Sequence, residues 1–178
     1  MNSSGRFPMR LPLIVVGLGA LSLLPAGPDD KAATPFPDPV AMELEGFVLA
    51  VDPALLAEAS REVKERAFEA LANHLQRVRY IVAEERLAEL RRIPIRIDLE
   101  HPRLRSMQYH PSREWLARNG HDPRLAKHVH IPRASELYDR RMWAKHPCVV
   151  LHELAHAYHD QVLGFDHSGI DPGPDHMG

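Results

Sequence analysis

Cysteine is nearly missing from this chain: Cys148 is the only one in 178 residues. An internal disulfide is therefore excluded, and the fold must be held by its apolar core. An excess of charge of either sign is missing as well. Lys and Arg number 22 against 24 Asp and Glu, a net charge of −2 with histidine neutral. That balance leaves no electrostatic footprint for nucleic acid or for an anionic membrane surface. No internal repeat and no regular βαβ alternation occur. Glutamate is absent after Glu153.

Against these absences stand a 44% hydrophobic content, enough for one compact domain, and twelve histidines. The histidine count favours metal binding, and it also makes accidental motifs more frequent.

The N-terminus reads as processing sequence. Arg6 and Arg10 precede "LPLIVVGLGALSLLPAG", an apolar run of about 16 residues, short for a membrane span and typical of a secretory signal. Residues 1–26 are thus a signal peptide or a retained N-terminal anchor. The cleavage choice stays open, because Leu24-Pro25-Ala26 is a mediocre site and no cysteine follows to take a lipid. Export to the envelope or outside the cell is the expectation. Residues 27–40 are proline-rich without periodicity and read as a flexible leader. The domain is expected over 41–168, and the proline- and glycine-rich residues 169–178 as a disordered tail.

Within the domain, "MELEGFVLAVDP" offers a first strand around Phe47, Val48, Leu49 and Val51, and Asp52-Pro53 suits a helix start. From Arg61 to Arg79, Val63, Ala67, Ala70, Leu71, Leu75 and Val78 recur at helical spacing, so this is an amphipathic helix with His74 at the edge of its apolar face. "EERLAELRR" reads as a shorter helix. Ile93, Ile95, Ile97 and Leu99 alternate with polar residues, as in a strand buried on one face. "YHPSREWLARNG" reads as loop and then a short helix capped by Ser112 and stopped at Asn119-Gly120. "KHVHIP" is a further strand, and "RASELYDRRMWA" a helical turn or two. The class is α+β.

The chemistry concentrates in "PCVVLHELAHAYHDQVLG", 147–164. Proline at the start and Gly164 past the end bound a helix. At roughly 100° per residue, His152 and His156 fall about 40° apart on one face. Val150, Leu151, Leu154, Tyr158 and Val162 cover the other. Two imidazoles one turn apart can reach a single zinc ion at about 2.0–2.1 Å. Glu153 flanks the same arc and is placed to act as general base toward a water that zinc acidifies to a pKa of about 7. Cys148, one turn before His152, reads as a small buried helical residue, with a thiolate contact to the metal as the alternative.

"VVLHELAHAYHDQVLGFDH" resembles the active-site helix of zincin metallopeptidases, and more narrowly that of exported bacterial gluzincins, the class containing lethal-factor-like peptidases. "LRRIPIRIDLEHPR" and "YHPSREWLARNG" are similar to the region upstream of the motif in those proteins, so the resemblance runs from Glu45 to Ile170. It implies a zincin-like fold, zinc as cofactor, a peptide or protein substrate, His152 and His156 as ligands and Glu153 as the base. It also implies an extended strand beside the cleft, for which "KHVHIP" is the candidate.

A catalytic zinc ordinarily has three protein ligands and a water. A metzincin continuation is excluded, since His159 and Val162 stand where glycine and the third histidine belong. In gluzincins the third ligand is a glutamate on a later helix, and none follows Glu153. Three expectations compete: a truncated or frameshifted member lacking the ligand-bearing helix, coordination by His167, or His128 or His130 folding over the site. His159 lies about 10 Å along the axis from His152, which suits it, like Asp160, to a supporting position beside the ligands. Tyr109 and His110 are candidates to hydrogen-bond a tetrahedral intermediate. A non-catalytic metal-binding or interaction module remains the alternative reading.

Overall fold

The computed structural model describes residues 36–164. The signal or anchor segment 1–26, most of the leader, His167 and the tail lie outside the described residues. The architecture is mixed α+β, built on one five-stranded sheet in the order β1-β2-β3-β5-β4. No helix among the described residues is long and apolar enough to cross a membrane.

Strands β1 (Val40–Leu44) and β2 (Phe47–Val51) form an antiparallel hairpin, where the sequence pattern indicated a single strand. Its two-residue turn places Glu45 at φ 52° and Gly46 at φ 82°, the positive pair that matches strand twist. Glu45 tolerates this position while its carboxylate accepts from Gln76 at 2.8 Å and Arg79 at 2.5 Å. Arg124 donates to the Phe36 carbonyl and pairs with Asp38, which holds this stretch ahead of β1 against the domain.

Asp52 caps helix α1 (Pro53–Leu56) by accepting from the Ala54 N–H at 2.9 Å, with proline in the first turn. The long helix α2 (Arg61–Ile81) buries Ala67, Ala70, Leu71, His74, Leu75 and Val78, the stripe its periodicity marks. Helix α3 (Glu84–Leu90) follows. Then β3 (Ile95–Ile97) pairs parallel with β2 and with β5 (Val129–Ile131), while β4 (Gln108–Tyr109) closes the sheet antiparallel to β5. Between β4 and β5 lies α4 (Arg113–Arg118), capped by Ser112, whose Oγ accepts from the Trp115 N–H at 3.1 Å. Helix α5 (Arg140–Lys145) precedes α6 (Val149–Tyr158), and α6 continues as a π-helical turn over His159–Leu163.

One face of the sheet is apolar. Phe47, Leu49, Val51, Ile95, Ile97, Val129 and Ile131 join the α2 stripe and Val150, Leu154 and Ala157 of α6 in a single core. The other face is polar yet covered over β3 and β5. Arg96, Asp98 and His130 are all buried, so β3 is not the half-exposed strand its alternation suggests. The charges are paired instead. Arg96 Nε donates to Asp98 Oδ1 at 2.6 Å, and His130 Nε2 lies 2.9 Å from Asp98 Oδ2. With Nε2–H given to the carboxylate, Nδ1 of His130 accepts from His110 Nε2 at 3.2 Å. Burial pushes the His110 imidazole down to about 3 and His101 to about 4. The fold holds the His101 and His110 rings neutral.

Candidate metal centre

Helix α6 reaches the surface along one side only. Leu154 and Ala157 are fully buried, while His152 and His156 are exposed. The helix is fixed at its start by Arg77 of α2, which donates to the Pro147 carbonyl at 3.1 Å. Beside it, His74 stacks on Trp143 with centroids 4.2 Å apart, the core-edge position the sequence indicates. Cys148 is the first departure from expectation. It is the residue preceding α6, exposed rather than buried, because the helix starts after it and its side chain faces a cleft. Val162, assigned to the apolar side, is 41% exposed because the π-helical turn rotates it off the core.

Nε2 of His152 and Nε2 of His156 face each other at 3.0 Å, with the rings at 89°. Two nitrogens on one tetrahedral zinc at about 2.0–2.1 Å would lie about 3.3 Å apart. The pair therefore fits two corners of such an ion after a shift of a few tenths of an ångström. Glu153 Oε2 accepts from the Tyr109 backbone N–H at 2.9 Å, which ties the motif helix to β4. His152 and Glu153 both line a cleft of about 690 Å³, with Met107, Met142 and Cys148 on its walls. Arg133 and Glu136, which pair with each other, and Arg141 and Lys145 add charge to the lining.

The strand beside the motif is β4, not "KHVHIP". Val129–Ile131 lies between β3 and β4 and has no free edge. Sequence reading missed β4 because it is two residues long and ends one residue short of Pro111. The alternation in "MQYH" was the only available signal. Since His110 N–H donates to the His128 carbonyl at 3.2 Å, the backbone groups of Tyr109 face outward by strand alternation.

Among the described residues, no candidate for a third ligand is brought to the histidine pair. His130 is fully buried, with both ring nitrogens engaged by Asp98 and His110. His128 Nδ1 lies 2.9 Å from the Ala126 carbonyl. Asp160 Oδ2 accepts from Tyr109 Oη at 2.5 Å and from Lys127 Nζ at 2.6 Å. Burial alone would raise the Asp160 carboxyl, but these two donors hold it below its ordinary range. His159 lies in the π-helical turn. Among the described residues no group of three or more His, Cys, Asp or Glu side chains is arranged to hold a metal. His110 is buried, and the Tyr109 hydroxyl is spent on Asp160, so neither side chain is available to a substrate here.

Comparison with protein-family models, with curated proteins and with solved structures yields no match.

Proposed function

We propose that this chain is an exported zinc-dependent metallopeptidase of the zincin class, hydrolysing peptide bonds in a peptide or protein substrate. The observation that carries the reading is the facing of the His152 and His156 Nε2 atoms at 3.0 Å on the exposed side of α6. Glu153 between them lines the cleft. His152 and His156 would hold the ion as neutral imidazoles, each binding through Nε2. Bound zinc would supply polarisation of the scissile carbonyl and acidification of the attacking water. Glu153 would take a proton from the attacking water on its carboxylate and would return it to the leaving amine. The Tyr109 N–H holds one of its oxygens, so the carboxylate is oriented before substrate arrives. The cleft alongside has room for a substrate side chain. A ligand from outside residues 36–164, with His167 as the candidate in this chain, would complete the set.

One observation favours a second reading, a degenerate module that binds metal without turnover: the described residues supply two donors and no third. A single experiment separates the two. The mature protein is loaded with zinc chloride, dialysed, assayed for retained zinc and incubated with a peptide library, beside Glu153→Gln. Stoichiometric zinc with cleavage abolished in the variant supports the peptidase. Cleavage by Glu153→Gln at the wild-type rate removes the base. Zinc retention without cleavage in either protein supports the module.

A further inference from the structure

Two non-glycine residues among those described adopt positive φ, Glu45 and Lys127. A side chain at such a position costs strain that glycine would avoid, so its presence asks for a compensating contact. Glu45 has one in Gln76 and Arg79 of α2. Lys127, at φ 64°, has one in Asp160, across 2.6 Å. The Lys127 backbone is also held, since its N–H donates to the His110 carbonyl at 2.7 Å.

Asp160 sits where α6 widens into its π-helical turn over His159–Leu163. Such turns redirect side chains and recur at functional sites. Here the turn aims two consecutive side chains at the β4–β5 connection. Asp160 Oδ2 accepts from Lys127 Nζ and from Tyr109 Oη. Gln161 Nε2 donates to Tyr109 Oη at 3.2 Å and to the Lys127 carbonyl at 3.1 Å. The Asp160 side chain is 8% exposed and that of Lys127 50%, so the carboxylate and its Tyr109 bond are sheltered while the ammonium stays in contact with water. Burial and the adjacent carboxylate push the Tyr109 hydroxyl far above its ordinary range, which keeps it a donor.

The same Tyr109 whose ring is pinned at its hydroxyl gives its backbone N–H to Glu153 Oε2. Its two ends thus bridge two turns of one helix, Glu153 and Asp160. We infer that Lys127, Asp160 and the Tyr109 hydroxyl form a latch that positions Glu153, fixing β4 against α6 so that the Tyr109 N–H holds the carboxylate. Asp160 is a positioning residue, not a metal ligand. Its catalytic consequence rests on the peptidase reading, whereas the latch itself does not.

Amide hydrogen exchange of the full chain, read by NMR at Tyr109 and across α2 and β3, tests the latch independently of turnover. Tyr109→Phe removes a single hydroxyl, and Asp160→Asn and Lys127→Met remove the ion pair. Each is expected to speed exchange at residue 109 about tenfold with α2 and β3 unchanged, and Lys127→Arg to restore protection. Zinc chloride affinity should stay at the wild-type value. If the wild type cleaves peptides, kcat should fall about tenfold with KM unchanged, and recover in Lys127→Arg. Unchanged exchange at residue 109 in both Tyr109→Phe and Asp160→Asn, or a uniform rise across the whole domain, overturns the latch. An exchange response in a protein that binds no zinc and cleaves nothing retains the latch and sinks the peptidase reading instead.

Discussion

Nε2 of His152 and Nε2 of His156 lie 3.0 Å apart on α6, both turned to solvent and away from Leu154 and Ala157. That convergence makes a quantitative expectation for metal binding. His152→Ala or His156→Ala should weaken zinc affinity at least about tenfold, since each removes one of the two donors in place. His74→Leu, which alters a ring stacked on Trp143 on the far side of the helix start, should leave affinity unchanged. Calorimetric titration with zinc chloride reads all three. Equal affinity in the wild type and in both alanine variants would remove the metal centre.

The histidine pair is only as well placed as the helix beneath it. Leu154 is fully buried within the main core, so Leu154→Ala should cost about 2–5 kcal/mol, through lost transfer energy and the cavity left behind. Val162→Ala, at a position 41% exposed, should stay within about 0.5 kcal/mol of wild type. Urea unfolding followed by circular dichroism distinguishes them. A Leu154→Ala loss as small as that of Val162→Ala would mean that α6 is not docked on this core.

Helical periodicity and capping were legible in the residues. Helix α2, the Asp52 and Ser112 caps and the two-faced α6 follow from local spacing, which the core then reinforces. The β1–β2 hairpin was half legible. Its Glu45-Gly46 turn lacks the usual asparagine or glycine at the first position, and the compensating Gln76 and Arg79 lie 31 and 34 residues away. The polar face of β3 was illegible for a related reason. Alternation marks Arg96 and Asp98 as outward, but only the folded chain brings His130 and His110 to cover them. At the candidate site the motif and its orientation were readable, while the grip of Tyr109 on Glu153 was not, because it joins a two-residue strand to a helix 44 residues on.

Buried neutral histidines make the domain acid-sensitive. His74 and His101 are pushed down to about 4 and His110 to about 3, from an ordinary value of 6.5, in each case chiefly by burial. Between pH 6.5 and 4 the unfolded chain therefore binds protons that the folded chain refuses. Stability is fully present above pH 6.5 and is lost as pH falls toward the folded values. Three such groups set a slope of about 2–4 kcal/mol per pH unit, the lower figure allowing for water penetration. Urea midpoints measured from pH 7.5 to 4.5 should decline steeply below 6.5, and His74→Leu should flatten the decline by roughly a third. A flat profile down to pH 4.5 would show that these rings are protonated in the folded protein.

Among the described residues Asp98 is the one carboxylate serving two buried cationic or imidazole partners, Arg96 at 2.6 Å and His130 at 2.9 Å. Burial raises its carboxyl, but His130 and Arg96 outweigh that and hold it below the ordinary range, so it is ionised at neutral pH. Asp98→Ala would leave a guanidinium 8% exposed and an imidazole with no exposure at all facing an empty acceptor position. The expected loss is about 3–5 kcal/mol. Because the pair is one network, the losses should not add: His130→Ala should cost less in the Asp98→Ala background than in the wild type, by about 1–3 kcal/mol. A double-mutant cycle in urea measures this coupling directly. Additive losses would mean that His130 is held by its ring packing against His101 and His110 rather than by Asp98, and the polar face of the sheet would then be a packing surface and not an ionic one.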